Sequence, residues 1–167
     1  PLKFGTVIVS KNGKSASDNL KEWLKEGKER LEKTWESIKG KKEYGIRIYY
    51  RKKQLVSELE ETTELSTIKK GISEKSAGVA YLLKSKLESQ TAELLQAKVN
   101  QFKNVFYELL KGLADNVVVN RSKLAINGGD DLLLNVSVLG KENEITLIRE
   151  SLEKYANDGF SYQLVGP

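Results

Sequence analysis

Apolar and polar residues alternate with a period of two in several segments, which is the spacing of a strand with one buried face. The alternation is clearest over 42–50, where one side carries Tyr44, Ile46, Ile48 and Tyr50. The last third of the chain predicts three more strands: 116–120, then 132–139 with Leu132, Leu134, Val136 and Val138 on one face, and 160–164 with Phe160, Tyr162 and Leu164.

The opening segment 1–10 is different, because it is apolar on both of the faces that a strand would have. Such a strand is normally central and covered on each side, and Gly5 indicates a close approach by a neighbouring element. We expect it to lie parallel to 42–50, in the core, without a direct role in binding. Phe4→Ala should then destabilise the fold by roughly 3–5 kcal/mol.

Two other segments have the period of an amphipathic helix. In 15–38, Ser15 and Asp18 resemble a capping box and Gly40 ends the pattern, whose apolar residues are Leu20, Trp23, Leu24, Leu31, Trp35 and Ile38. In the second helix, closed by Gly159, the apolar residues are Ile145, Ile148, Leu152 and Tyr155.

A much longer helical pattern runs from 73 to about 115, with no proline or glycine between Gly78 and Gly112. Its middle, 88–101, is too polar for a core helix, so we expect it to project into solvent. The segment 54–70 is helix-prone at first and then looser. Its part 54–67 is the natural antiparallel partner of the long helix, through Leu55, Leu59 and Leu65.

The order of elements is strand, helix, strand, long helix, strand, strand, helix, strand, with a turn or bulge at 127–131. This order predicts an α+β fold, an elaborated ferredoxin-like sheet with a projecting helical hairpin. A chain of 167 residues fits one domain over 1–167, with the projecting helices within about 54–114.

Composition restricts the chemistry. The chain has no histidine and no cysteine, which excludes a Ser-His-Asp triad, a cysteine nucleophile and metal sites built from those residues. Gly128 to Asp131 fit a turn better than a cation site, and Glu60 and Glu61 lie in a charged stretch without an apolar pocket. We therefore expect no enzyme, no cofactor and no metal.

Four short segments, in this order along the chain, resemble the gas vesicle protein F and L family. They are "PLKFGTVIVS" (family pattern P-x-x-F-G-T-V), "EYGIRIYY" (E-x-G-V-K-V), "SAGVAYLLKSK" (G-x-x-Y-L) and the closing "YQLVGP" (the run into G-P-W-P-P-Y). The motif residues are Phe4, Gly5, Thr6, Gly45, Gly78, Tyr81, Leu82, Gly166 and Pro167. Of these, Tyr81 is most simply a residue that packs within the chain.

The resemblance implies an accessory protein of gas vesicles, in the cytoplasm or at the vesicle. Its implied partners are the small hydrophobic shell protein and other accessory proteins, and its implied role is to support nucleation and prevent aggregation of shell subunits. The family has an N-terminal module before the F-G-T strand and an aromatic-proline tail after Gly166-Pro167, so we expect a fragment that lacks both. No membrane and no nucleic acid are expected as partners.

An alternative function is a ferredoxin-like module that binds nucleic acid. The net charge is +5, and tyrosines of 44–50 lie between the basic clusters 39–42 and 51–53. An RNA-binding module would carry exposed aromatic and basic residues on an open sheet face, whereas an assembly factor would have that face covered by helices. The sequence leaves open the F or L type, the oligomeric state and the surface that meets the shell protein.

Overall fold

The structure is a computed structural model, and it describes residues 7–72, 76–121, 126–127, 129–156 and 158–167. Contacts divide the chain into two compact units, Pro1–Lys41 and Lys42–Pro167. The single domain expected over 1–167 stays a prediction.

The described part of the first unit contains two consecutive helices, α1 (Ala16–Glu26) and α2 (Lys28–Ile38). The Oγ of Ser15 accepts a hydrogen bond from the Asp18 backbone N–H at 3.1 Å, which confirms the predicted start of the helix. Gly27 alone separates the helices, and it keeps the i−4 hydrogen bonds on both sides, to Trp23 O and from Leu31 N. Gly40, with φ of 72°, follows the end of α2 as predicted.

The predicted opening strand is only partly testable. Residues 1–6, with Phe4, Gly5 and Thr6, lie outside the described residues, so the effect of Phe4→Ala stays a prediction. Residues 7–10 are described and form no strand. Val7 is 77% exposed and Val9 61%, so the expectation of a covered strand is wrong for these residues.

The second unit contains an antiparallel sheet. Its strands are β1 (Lys42–Tyr50), β2 (Asn116–Val119), β3 (Ile126–Asn127), β4 (Asp130–Gly140) and β5 (Phe160–Val165). The order across the sheet is β2-β4-β1-β5, and the two-residue β3 pairs with β4. The pairing of Asn127 with Asp130 closes a tight hairpin at the predicted turn, with Gly129 at φ of 100°.

The helices of this unit are α3 (Lys52–Glu60), α4 (Thr63–Ile72), α5 (Ala77–Leu113) and α6 (Glu142–Glu153). They confirm the predicted α+β class. The ferredoxin-like detail is confirmed only in part: apart from the two-residue β3, the order over 42–165 is strand, helices, strand, strand, helix, strand, but the segments 1–10 and 15–38 of the predicted plan belong to the first unit. Two helices, α3 and α4, pack against α5 where one partner segment was predicted. The looser structure expected for the end of 54–70 is wrong, because α4 continues to Ile72.

The core lies between the sheet and the helices α5 and α6. The predicted inward residues of β1, Tyr44, Ile46, Ile48 and Tyr50, are all buried. Phe106 and Leu110 of α5 and the predicted residues Ile145, Ile148 and Leu152 of α6 cover them. Phe106 makes edge-to-face contacts with Tyr155 and Phe160, at ring-centroid distances of 4.9 and 5.1 Å.

One residue of β4 departs from the predicted alternation. The pairing of β1 with β4 shifts between Ile48 and Tyr49, which pair with Leu134 and Leu132, and Leu133 is left over as a bulge. Leu133 therefore joins the core cluster. Leu132, predicted to face the core, pairs with Tyr49 of the opposite face and is only half-buried.

The polar middle of α5, 88–101, contains no buried residue, but the expectation that it projects into solvent is only partly confirmed, because Leu95 and Val99 pack against the core. The helix has 37 residues and is therefore about 55 Å long, and its buried residues, Phe106 and Leu110, are both near its C-terminal end. Glu93 is exposed and Lys98 half-buried.

Candidate interaction surfaces

Three motif residues lie together at one end of the sheet. Gly45 is in the middle of three strands, because it pairs with Ser137 of β4 and with Val165 of β5. Gly166 and Pro167 follow β5 directly. A methyl group on Gly166 would overlap with the ring of Tyr44, so a glycine lets the chain pass over this buried ring.

The other described motif residues, Gly78, Tyr81 and Leu82, lie in the first turns of α5. Tyr81 is 74% exposed and Leu82 67% exposed, so the interpretation of Tyr81 as a residue that packs within the chain is wrong. They are about 30–36 Å along the helix from Phe102, which packs against the core. The described motif residues thus form two separate groups, and the second is available to a partner.

The first unit presents an apolar stripe that the described residues of this unit do not bury. We define the α1–α2 stripe as Leu20, Trp23, Leu24, Leu31, Trp35 and Ile38. Within α1 and within α2 these residues recur every three or four positions, so they share one side of each helix. None is buried; Trp35 is 59% exposed and Leu24 43%. Contiguous exposed apolar surface of this kind marks interaction sites.

A groove runs between α3 and α5, with a volume of about 410 Å³. Its floor is apolar, and its edges carry both charges; the lining residues are Lys52, Val56, Glu60, Lys84, Leu87, Glu88, Thr91, Ala92 and Leu95. Glu60 forms an ion pair with Lys69 of α4 at 2.5 Å. Among the described residues, Lys52, Lys84 and Glu88 have no ion pair.

The groove residues of α5 could not be assigned to this surface from the sequence. The prediction of a helical partner for α5 included Leu55, Leu59 and Leu65, and Leu55 and Leu65 are buried. The axial offset of α3 against α5 decides which of their remaining residues line a groove. No local pattern encodes that offset.

Two tyrosines, Tyr50 and Tyr162, have raised pKa values because of their surroundings in the fold. Burial raises the pKa of Tyr50, and the neighbouring Asp131 carboxylate adds to this. Burial and then the charge of Glu153 raise the pKa of Tyr162 in the same way. A raised phenol pKa keeps the hydroxyl protonated at neutral pH, so neither group is set up as a general base.

Among the described residues, the sheet shows no open aromatic face of the kind that distinguishes an RNA-binding module of this type. Tyr44 and Tyr50 point into the core under α5 and α6. Tyr49 lies on the opposite face but is only 3% exposed, and its hydroxyl donates to Oε1 of Gln163 at 3.2 Å. None of the three rings is available for stacking on a base.

Within the ranges that the structure describes, no three or more acidic side chains are grouped so that they could hold a metal ion. No helix of those ranges is both long and apolar enough to cross a membrane.

A sequence model of the gas vesicle synthesis proteins GvpL and GvpF matches residues 1–167, the entire chain. The chain belongs to the GvpL/GvpF family. The family that the sequence analysis predicts is thereby confirmed. Among curated proteins, none matches the chain.

Two solved structures of this family have the same fold. The crystal structure of the gas vesicle protein GvpF from Anabaena sp. PCC7120 has a TM-score of 0.60 and 17% sequence identity, over 100% of this chain and 65% of that one. For gas vesicle protein GvpF from Microcystis aeruginosa the TM-score is 0.51 and the identity 17%, over 100% of this chain and 66% of that one. The chain thus spans slightly under two thirds of either protein.

Proposed function

We propose that this member of the GvpL/GvpF family is a non-catalytic accessory protein that binds the hydrophobic shell protein of gas vesicles. Bound in this way, shell subunits are kept from aggregating and are supplied to nucleation, in the cytoplasm or at the growing vesicle. Family membership supports the general role. The observation that carries the binding proposal is the α1–α2 stripe, six apolar side chains on two helices in which no residue is buried.

The stripe suits an apolar partner because it is apolar, whereas the rest of the surface of the same helices is charged. The remaining surface is charged and holds exposed ion pairs, such as Lys28 with Glu32 and Lys14 with Glu22. Such pairs contribute little stability, but they keep a complex soluble while the apolar side is occupied. An unassembled shell subunit exposes apolar surface that would otherwise aggregate.

The stripe is large enough to matter energetically. Complete burial of a large apolar side chain contributes about 1.5–3 kcal/mol. The exposed fractions of Leu24, Trp35 and Ile38 are 43%, 59% and 42%, so together they supply only a few kcal/mol of gain, from which the cost of association must be subtracted. Binding through this stripe should therefore be of moderate affinity and reversible, as a carrier of subunits requires.

The test is aggregation of the shell protein after dilution from denaturant, followed by light scattering. Equimolar wild-type chain should suppress the scattering. The variant Leu24→Ser/Trp35→Ser should lose most of the suppression while keeping its circular dichroism spectrum, because neither residue is buried. The matched control Val105→Ser/Leu147→Ser changes two exposed apolar residues of the second unit and should keep full activity.

Two results would count against the proposal. If the wild-type chain leaves the scattering unchanged, the shell protein is not its partner. If the stripe variant and the control suppress aggregation equally, binding occurs through another surface.

A further inference from the structure

One side of the N-terminal half of α5 combines a projecting ring, two opposite charges and a groove. Tyr81, Lys84, Glu88 and Ala92 are spaced by three or four residues, so they lie along the same side of the helix. Of these four, Lys84, Glu88 and Ala92 line the α3–α5 groove. Tyr81 continues that side one turn beyond the groove and is 74% exposed.

The two charges on this side are exposed and unused within the described part of the chain. Lys84 and Glu88 are four residues apart, but they form no ion pair with each other. In a helix the order lysine before glutamate is the weaker orientation for such a pair. Each charge is therefore available to a group that approaches from outside.

We propose that two copies of this chain pack antiparallel along this side of α5, about a two-fold axis that passes between Lys84 and Glu88. The axis places Lys84 opposite Glu88 of the second copy, and Glu88 opposite its Lys84. The same axis places Tyr81 opposite Thr91 and next to Ala92 of the second copy, both of which line its groove. Each copy thus supplies one ring and receives one.

The surface fits a second copy better than an unrelated helix because it is self-complementary. A two-fold interface requires that every residue of the patch meets its own match when the patch is turned onto itself. A single axis pairs Lys84 with Glu88 of the second copy and also places Tyr81 at the groove of the second copy. Ser85 lies near this axis and Ala92 under the ring, and both are small enough for the two helices to approach to the usual 8–10 Å.

Lys86, which lies closest to the axis in sequence, does not oppose this packing. It is two residues from both Lys84 and Glu88 and therefore points to the other side of the helix. The two copies of Lys86 are thus kept apart.

The dimer should be weak, because one helix side and one groove are less than the standard interface of about 1,600 Å². Sedimentation velocity of the full chain, up to about 0.2 mM, should show a shift from monomer to dimer as the concentration rises. Lys84→Glu and Glu88→Lys each place like charges opposite one another, and the two-fold axis repeats this pair. Each variant should therefore raise the Kd of the dimer by about tenfold or more.

A variant with the charges of positions 84 and 88 exchanged tests whether these residues face each other in the dimer. The double variant Lys84→Glu/Glu88→Lys restores opposite charges in the proposed arrangement and should recover dimerisation to within a few-fold of wild type. Tyr81→Ala should weaken the dimer, and the control Lys86→Glu should leave it unchanged. All four positions are exposed, so circular dichroism should be the same for every variant.

A wild-type chain that stays monomeric over the whole concentration range overturns the proposal. If the wild-type chain dimerises but the double variant does not, the proposed position of the two-fold axis between Lys84 and Glu88 is wrong. Neither result bears on shell-protein binding, which was assigned to α1 and α2, so the two proposals fail independently.

Discussion

The backbone of Gly166 lies directly on the ring of Tyr44, so closely that no side chain fits between them. Tyr44 is 7% exposed, in the core cluster, and the neighbouring Gly45 pairs with Val165, the residue before Gly166. Two segments of the family motif, far apart in sequence, are thus parts of one contact at the sheet end. This contact explains why a glycine occupies position 166.

Gly166→Ala should destabilise the second unit by about 1 kcal/mol. The added methyl group forces either the ring of Tyr44 or the backbone of Gly166 to move. Gly166 lies just past the end of β5 at Val165, so its backbone shifts more easily than the buried ring, and this keeps the cost small. Thermal unfolding should show a decrease of roughly 2–4 °C. Gly78→Ala is the matched control, since a Cβ there has no neighbour within 4 Å; an equal decrease in both variants would contradict the proposed contact.

Phe106→Ala should destabilise the second unit by about 3–5 kcal/mol. Phe106 is 1% exposed, and its ring contacts both Tyr155 and Phe160. Its removal leaves a cavity between α5 and β5. The neighbouring Val105 is 43% exposed, and Val105→Ala should cost less than about 1 kcal/mol. Urea denaturation measures both, and a difference below about 1 kcal/mol would show that α5 does not anchor the core.

The sequence predicts best the elements in which one local period determines burial. β1 is such a case, because the alternating residues Tyr44, Ile46, Ile48 and Tyr50 are all buried in the core cluster. α6 is another, since Ile145, Ile148 and Leu152 repeat at helical spacing and are all buried. The turn at 127–131 follows from residues that favour positive φ.

The features that were mispredicted depend on contacts between distant segments. Leu133 joins the core because β4 accommodates a bulge opposite β1, and nothing in "LLLNVSVL" distinguishes it from Leu132. Tyr81 has the apolar neighbours of a packing residue, yet it is 74% exposed. The α3–α5 groove depends on how two helices are offset. In each case tertiary geometry, rather than local pattern, decides the outcome.

Gly159→Ala should destabilise the second unit by about 1–2 kcal/mol. Gly159 has a φ of 86°, and an added Cβ would lie 3.0 Å from Oε1 of Gln54. The Gln54 side chain can move aside, so most of the cost comes from the left-handed backbone. That conformation cannot simply relax, because Gly159 O accepts a hydrogen bond from Arg51 N at 3.0 Å.

Gly112→Ala is the comparison for Gly159, because Gly112 lies in the last turn of α5 and a Cβ there has no neighbour within 4 Å. It should stabilise the helix by up to about 1 kcal/mol. The two Gly→Ala variants should thus shift the urea midpoint in opposite directions. A shift in the same direction would contradict the strain assigned to position 159.

Stability should decrease in alkaline solution, partly because of Tyr50. The pKa of this tyrosine is raised by burial and by the neighbouring Asp131. Below about pH 10, the pKa of tyrosine in an unfolded chain, the phenol is protonated in both states and its contribution is complete. As the pH rises further, the unfolded chain loses the proton first, and the contribution is lost as the pH passes the raised folded pKa. Tyr50→Phe should therefore have a shallower decrease in the free energy of unfolding between about pH 9 and about pH 11 than wild type. Urea titrations at a series of pH values measure these slopes, and the difference between the two proteins cancels the lysines that titrate in the same range. Equal slopes would mean that Tyr50 ionises alike in both states, so that neither its burial nor Asp131 perturbs it.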